Sequence, residues 1–206
     1  MLAYYATRLP TVEINNTFYR MPAPEMVRKW ADETPTTFRF ALKSPRRITH
    51  ERRLVDVADA VASLFKAAGE LGDKLGPVLF QLPPNFKKDA PRLDAFLAGL
   101  PAGARAALEF RHESWFAPDV FDVLRARRAA LCIAEDEELA TPLEATTDWG
   151  YLRLRRQDYG DAEVSAWAGR IRAQPWSESY VFFKHEDEGK GPKLAAQLIG
   201  EMARTS

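Results

Sequence analysis

Leu108-Glu109-Phe110-Arg111-His112-Glu113-Ser114-Trp115-Phe116 follows the apolar run Arg105-Ala106-Ala107-Leu108 and precedes a helical segment. Side chains on a β-strand alternate between two faces. Leu108 and Phe110 therefore share one face and Glu109 and Arg111 the other, with His112 just beyond. A strand that ends with a carboxylate and a guanidinium on one face and apolar side chains on the other suits the mouth of an α/β barrel, where active sites form.

The same unit recurs in both directions along the chain. Strands are expected at residues 11–15, 37–43, 77–82, 130–134, 150–155 and 180–184, besides the one at Glu109. Helices are expected at 1–9, 24–30, 55–71, 91–100, from Pro118 onward, and at 164–171 and 193–203. Such alternation is the mark of a parallel sheet covered by helices. An open doubly wound sheet should carry a Gly-rich phosphate loop after its first strand, and the loop Asn15-Asn16-Thr17-Phe18-Tyr19-Arg20 has no glycine. The expectation is one domain over 1–206, a TIM-type (β/α) barrel. A full barrel needs eight units and about seven strands are legible, with a helix ahead of the first. The first strand is therefore expected to be missing. That leaves the strands at Glu13 and Tyr180 with open edges, to be filled by an upstream segment or covered by a partner or a second copy of the chain.

The strand faces can be assigned from their apolar content. Val12 and Ile14 face the helices and leave Glu13 and Asn15 inside; Phe38, Phe40 and Leu42 leave Arg39, Ala41 and Lys43. Val78, Phe80 and Leu82 leave Gln81, and Leu131 with Ile133 leaves Cys132, Ala134 and Asp136. Leu152 and Leu154 leave Tyr151, Arg153 and Arg155; Val181 and Phe183 leave Phe182 and Lys184. Buried charge without a partner is costly, so this interior is either a solvated ligand site or a self-paired network. Arg39, Lys43, Arg111, Arg153, Arg155 and Lys184 outnumber Glu13, Glu109 and Asp136, which favours a site with an anion in it.

Composition narrows the classes. Apolar residues make up 46% of 206, enough for a sizeable core. Lys plus Arg and Asp plus Glu are 29 each, a balance that argues against a protein coating nucleic acid or an acidic membrane. Cys132 is the only cysteine, so no intrachain disulfide and no cysteine-rich zinc site is available; it reads as a buried thiol. No apolar stretch approaches the ~20 residues that span a bilayer, and no signal peptide is visible. The expectation is a cytoplasmic protein.

Three weaker signals accompany the charges. His50, His112 and His185 all follow strands and could join Glu13, Glu109 or Asp136 around a divalent metal, but no tight ligand motif is present and no cofactor is evident. Lys43 and Lys184 lie inward beside cations, which lowers a lysine pKa and suits a Schiff-base nucleophile. Trp115, Phe18, Tyr19 and Trp149 fall at loop or strand boundaries, where they either pack loops onto the core or form a stacking wall.

Val12-Glu13-Ile14-Asn15-Asn16-Thr17-Phe18-Tyr19-Arg20, Lys43-Ser44-Pro45-Arg46 with Ile48-Thr49-His50, Phe80-Gln81-Leu82-Pro83-Pro84, Glu109-Phe110-Arg111-His112 with Ser114-Trp115, and Tyr151-Leu152-Arg153-Leu154 resemble the YecE-like family, domain of unknown function 72, over nearly the whole chain. The resemblance implies a TIM-type barrel and supplies no activity or cofactor. Family members usually begin with a strand and loop of the type Gly-Thr-Ser-Gly-Trp, ahead of the helix that starts here at Met1. Many carry asparagines after the last strand, where this chain has Lys184 and His185.

The function expected from these residues is an enzyme acting on a small phosphorylated or carboxylated substrate. Arg111, Arg153 and Arg155 would clamp the anion, Glu109 or Glu13 would act as general base and His112 as acid. Asn15, Gln81, Lys43, Trp115 and Lys184 would complete the substrate site. Two alternatives are a nucleic-acid-binding or processing barrel, with the arginines on phosphates, and a barrel that binds a ligand without chemistry.

Overall fold

The computed structural model describes residues 2–135, 139–183 and 189–204. Its strands are β1 (Thr11–Ile14), β2 (Arg39–Lys43), β3 (Leu75–Gln81), β4 (Ala106–Glu109), β5 (Ala130–Glu135), β6 (Trp149–Leu154) and β7 (Glu178–Phe183). They pair in chain order, every pair parallel. Parallel neighbours need a crossover, and helices supply it at every connection except β5 to β6, where the described residues 139–148 carry no helix. The crossover helices are α2 (Pro24–Asp32), α3 (Ala58–Ala68), α4 (Ala90–Ala98), α5 (Pro118–Ala126) and α6 (Asp161–Arg172), numbered after the short α1 (Leu2–Ala6) that precedes β1; α7 (Lys190–Ala203) follows β7. Local sequence sets their starts. Pro24 and Pro118 open α2 and α5, where proline costs no hydrogen bond, and the Asp89 carboxylate accepts from the Arg92 amide at 3.1 Å to cap α4.

The sheet curls into a nearly closed TIM-type barrel. Among the described residues no ladder joins β7 to β1, and the break falls where the missing strand was expected. The alternation assignment holds on every strand. Val78, Phe80, Leu82, Leu108, Phe110, Leu131, Ile133, Leu152 and Leu154 meet Leu64, Leu93, Val120, Leu124 and Val164 from the helices. Inside, Ala41, Leu79, Ala107, Ala130, Cys132, Trp149, Tyr151 and Tyr180 fill the lower barrel. Small residues on β2, β4 and β5 leave room for the large rings on β6 and β7, so the lower barrel is packed. Glu13, Lys43, Glu109, Arg153 and Arg155 sit above this plug.

Two differences from the sequence reading have simple causes. The helix expected at 55–71 ends at Ala68, and a 3-10 stretch over Gly69–Lys74 carries the chain into β3. Gly72 supplies the turn, at φ +55°. Residues 47–51 form one wide helical turn rather than an open loop, followed by Arg53, Leu54 and Asp56 at φ 48°, 70° and 51°. Left-handed backbone at three non-glycine residues is strained, and the buried side chains of Ile48 and Leu54 hold it in place.

One glycine is fixed by packing. A Cβ on Gly150 would lie 2.5 Å and 2.7 Å from ring atoms of Trp176. A rigid indole cannot yield as a flexible chain end can. Gly150→Ala is therefore expected to cost about 1–3 kcal/mol, the usual range for overpacking, read as a lowered urea midpoint with an unchanged slope. An unchanged midpoint would show that the indole moves freely.

Candidate active site

Glu109 ends β4 with its side chain turned inward and fully buried. Parallel register sets Gln81 beside it, and the Gln81 amide donates to Glu109 Oε1 at 2.7 Å. Arg153 Nη1 donates to Oε2 at 2.6 Å, while Arg111 and Arg155 each reach Oε1 at 3.3 Å. Burial alone would raise this carboxyl, but Arg153 and Arg155 and the bonds from Gln81 and Arg153 outweigh it and hold it down at about 2.

Arg153 bridges to the second carboxylate. Its Nη2 donates to Glu13 Oε1 at 2.8 Å, and the Tyr151 hydroxyl donates to Glu13 Oε2 at 2.6 Å. Asn15 donates to Glu13 Oε1 at 3.0 Å and accepts from Arg153 at 3.4 Å. Burial and then the Glu13 carboxylate push the Tyr151 hydroxyl well up, so it stays a donor. The structure thus brings together Glu13, Asn15, Gln81, Glu109, Arg111, Arg153 and Arg155 as the sequence reading required. Most of the charge is paired internally, the alternative weighed against an open anion site.

Pairing leaves a cation over. Lys43, Arg153 and Arg155 face two carboxylates, Glu13 and Glu109, an excess of one among these described groups. Arg155 is loosely held: its bond to Glu109 is long, and its buried Nε has no partner among the described residues. Burial and then the like charge of Arg153 pull the Arg155 guanidinium below its ordinary range. At the end of β2, Lys43 Nζ sits 4.2 Å from the centroid of the Phe18 ring. Burial, then Arg153, lowers its ammonium to about 8, against the pull of Glu109 and Glu13.

These groups border a cleft of about 760 Å³. Its polar wall is Glu13, Asn15, Lys43, Arg153 and Arg155; its apolar side runs down between β1 and β7 past Val12 and Val181 to Leu198 on α7. Phe18 and Tyr19, from the turn after β1, stand at its rim. A carboxylate, a lysine and a guanidinium edge around one open space can bind an oxyanion and move a proton beside it.

Several expected site residues are placed elsewhere. Trp115 is completely buried, stacked on Phe110 at 4.7 Å, and its indole N–H donates to the Phe86 carbonyl; it packs the core and offers no stacking face. Trp149 lies at the bottom of the barrel with Arg105 over its ring at 4.4 Å. Arg39, counted among the inward cations, opens β2 at the opposite end and donates to the carbonyls of Thr36 and Phe38. His112 caps the 3-10 turn Glu113–Trp115, its Nδ1 accepting from the Ser114 amide at 3.1 Å, and does not line the cleft. Glu109, with both oxygens engaged and its carboxyl near 2, is an anchor for the arginines and too weak a base for neutral pH. Cys132 is a buried thiol whose pKa burial pushes well up. Lys184, His185 and Asp136 lie outside the described residues.

Tyr151 is the site residue that the sequence reading left unassigned. Its signal was present, because alternation puts it inward two positions before Arg153. Among the described residues no cluster of three or more His, Cys, Asp or Glu is placed to hold a metal ion, and no helix is long and apolar enough to cross a membrane.

Comparison with known proteins agrees with this architecture. The family model "Protein of unknown function DUF72" matches residues 1–206. UPF0759 protein YecE of Escherichia coli (strain K12) is 35% identical over 117 residues, covering 56% of this chain and 43% of that protein. UPF0759 protein YunF of Bacillus subtilis (strain 168) is 32% identical over 129 residues, 59% of this chain and 46% of that protein. These matches span less than half the length of either relative. The crystal structure of a DUF72 family protein from Enterococcus faecalis V583 superposes with a TM-score of 0.85 at 18% identity, covering 100% of this chain and 89% of that one. At that identity the likeness speaks for the fold alone.

Proposed function

The chain belongs to the DUF72 family of proteins of unknown function, and from that footing we propose that it is an enzyme acting on a small phosphorylated or carboxylated molecule at the barrel mouth. The observation that carries this reading is the placing of Lys43 and Arg155 together at the cleft, beside two carboxylates already bridged by Arg153. Crowded like charges repel in a low-dielectric site, and an oxyanion beside Arg155 and Lys43 offsets that repulsion. Glu13, which borders the cleft, is the carboxylate in position to exchange a proton with bound substrate, and Asn15 orients it. Gln81 and Glu109 act at one remove by fixing the arginines.

Anion binding is expected to raise thermal stability. Ligand at ten times its Kd adds about 1.4 kcal/mol, which for a chain of this size is roughly 3–5 °C in Tm. Phosphate should therefore outperform chloride at equal ionic strength. Phosphate also strengthens burial in any protein, so the control is Arg155→Met, which removes the loosely held guanidinium and leaves the Arg153 bridge intact. Equal phosphate responses in the parent and Arg155→Met would exclude an anion site here. A polyanion would instead lose affinity steeply with salt. Conversion of small phosphorylated or carboxylated compounds, followed by NMR, separates an enzyme from a binding barrel.

A further inference from the structure

Lys43 is unlike the other lysines whose contacts are defined. Lys88 is paired with Asp119 at 2.9 Å, and Lys74 donates to the Thr34 carbonyl at 2.6 Å. Lys43 is half-buried at the cleft, and among the described residues no carboxylate lies within ion-pair distance of its Nζ. Its neighbours come from several sides: Arg153 on β6 and Arg155 just past it, Glu109 on β4, Glu13 on β1, and His50 on the turn after β2. His50 itself is lowered by burial and then by Lys43 and Arg46. The Phe18 ring offers the ammonium a favourable face, worth about 0.5–1 kcal/mol, less than one pKa unit, and Glu109 and Glu13 favour it from a distance. Burial and the two arginines outweigh these, and at a pKa of about 8 roughly a tenth of the amine is free at pH 7, far more than for an ordinary lysine.

We infer that Lys43 is a carbonyl-condensing amine, which forms an imine with a small anionic aldehyde or 2-oxo acid whose carboxylate or phosphate rests against Arg155. This rests on the anion reading above and narrows its substrate class. The nitrogen lone pair adds to the carbonyl carbon and the C=O π pair moves to oxygen. A proton passes from nitrogen to that oxygen through water, giving a carbinolamine. The nitrogen lone pair then expels the oxygen as hydroxide, which takes the remaining nitrogen proton and leaves as water. Amine and carbonyl thus become imine and water with no redox partner.

Reductive trapping tests this on the intact chain. Glyoxylate with cyanoborohydride converts an imine into a carboxymethyl-lysine, and peptide mass mapping gives labelling at Lys43 relative to the exposed Lys29 of the same molecule. At pH 7 the ratio is expected to be about ten or more, because a lowered amine pKa multiplies the neutral fraction. Acetaldehyde, which lacks the anionic group, should give a ratio several-fold lower, and Arg155→Met should bring the glyoxylate ratio down towards it. Lys43→Arg, which keeps the charge, should melt with the parent and lose that adduct alone. Labelling at Lys43 no greater than at Lys29 overturns the imine; if phosphate still stabilises the parent more than Arg155→Met, the anion site survives that failure. Equal Lys43 ratios with glyoxylate and acetaldehyde overturn the anionic class and the reading beneath it together.

Discussion

Replacing Arg153 by methionine is expected to cost about 3–5 kcal/mol at pH 7, the range for removing one partner of a buried ion pair. Arg153 is 4% exposed and bonds Glu109 at 2.6 Å and Glu13 at 2.8 Å. Methionine fills most of the space of the arginine stem, so cavity formation adds little. The loss comes from leaving two carboxylates close together, with only the 3.3 Å contacts of Arg111 and Arg155 and the bonds of Gln81, Tyr151 and Asn15. At roughly 2–4 °C per kcal/mol, Tm should fall by about 10 °C. Adding Glu109→Gln to Arg153→Met should recover part of the loss, because one stranded charge goes with it. Urea unfolding of the three variants against the parent measures this. A loss under about 1 kcal/mol for Arg153→Met would mean that water reaches both carboxylates and that the bridge is a surface-type pair.

The face of each strand was legible because its period is two and one face is apolar; nothing else was needed to bring Glu13, Glu109 and Arg153 together. Height along the barrel was less legible. Arg39 and Lys43 share a face, yet four rises of about 3.3 Å each separate them, so one lies below the packed plug and the other at the mouth. Aromatic residues at strand ends were also ambiguous. Trp115 turns back onto Phe110 through a single 3-10 turn, and composition cannot distinguish that from an outward ring. The role of Glu109 depended on partners from two other strands, Gln81 on β3 with Arg153 and Arg155 of β6 and its continuation, and on Arg111 just past its own strand. Alternation placed all of them inward and was silent on which would pair and which would stay loose.

The hold on the Glu109 carboxyl gives a stability that acid should remove. Its folded pKa, at about 2, lies below the ordinary 4.5, so the unfolded chain binds its proton first as pH falls. The contribution is therefore complete above about pH 4.5 and is lost as pH drops towards 2. Two and a half pKa units correspond to about 3 kcal/mol, with roughly two-thirds of it gone by pH 3. Every other carboxylate also titrates in this window, which makes the total acid response uninformative. The difference between the parent and Glu109→Gln isolates the group, because glutamine keeps the shape and cannot titrate. At pH 7 the variant should be less stable, since Arg153 keeps Glu13 alone of its two carboxylates and Arg155 loses its pairing with Glu109. As pH falls from 5 to 3 the gap should narrow by about 2 kcal/mol, the parent losing what the variant never had. Urea unfolding at half-unit pH steps, with parallel slopes, gives the curve. A gap that stays constant through this window would mean that Glu109 titrates normally. The mouth of the barrel would then lack the fixed negative anchor that orients Arg153 and Arg155.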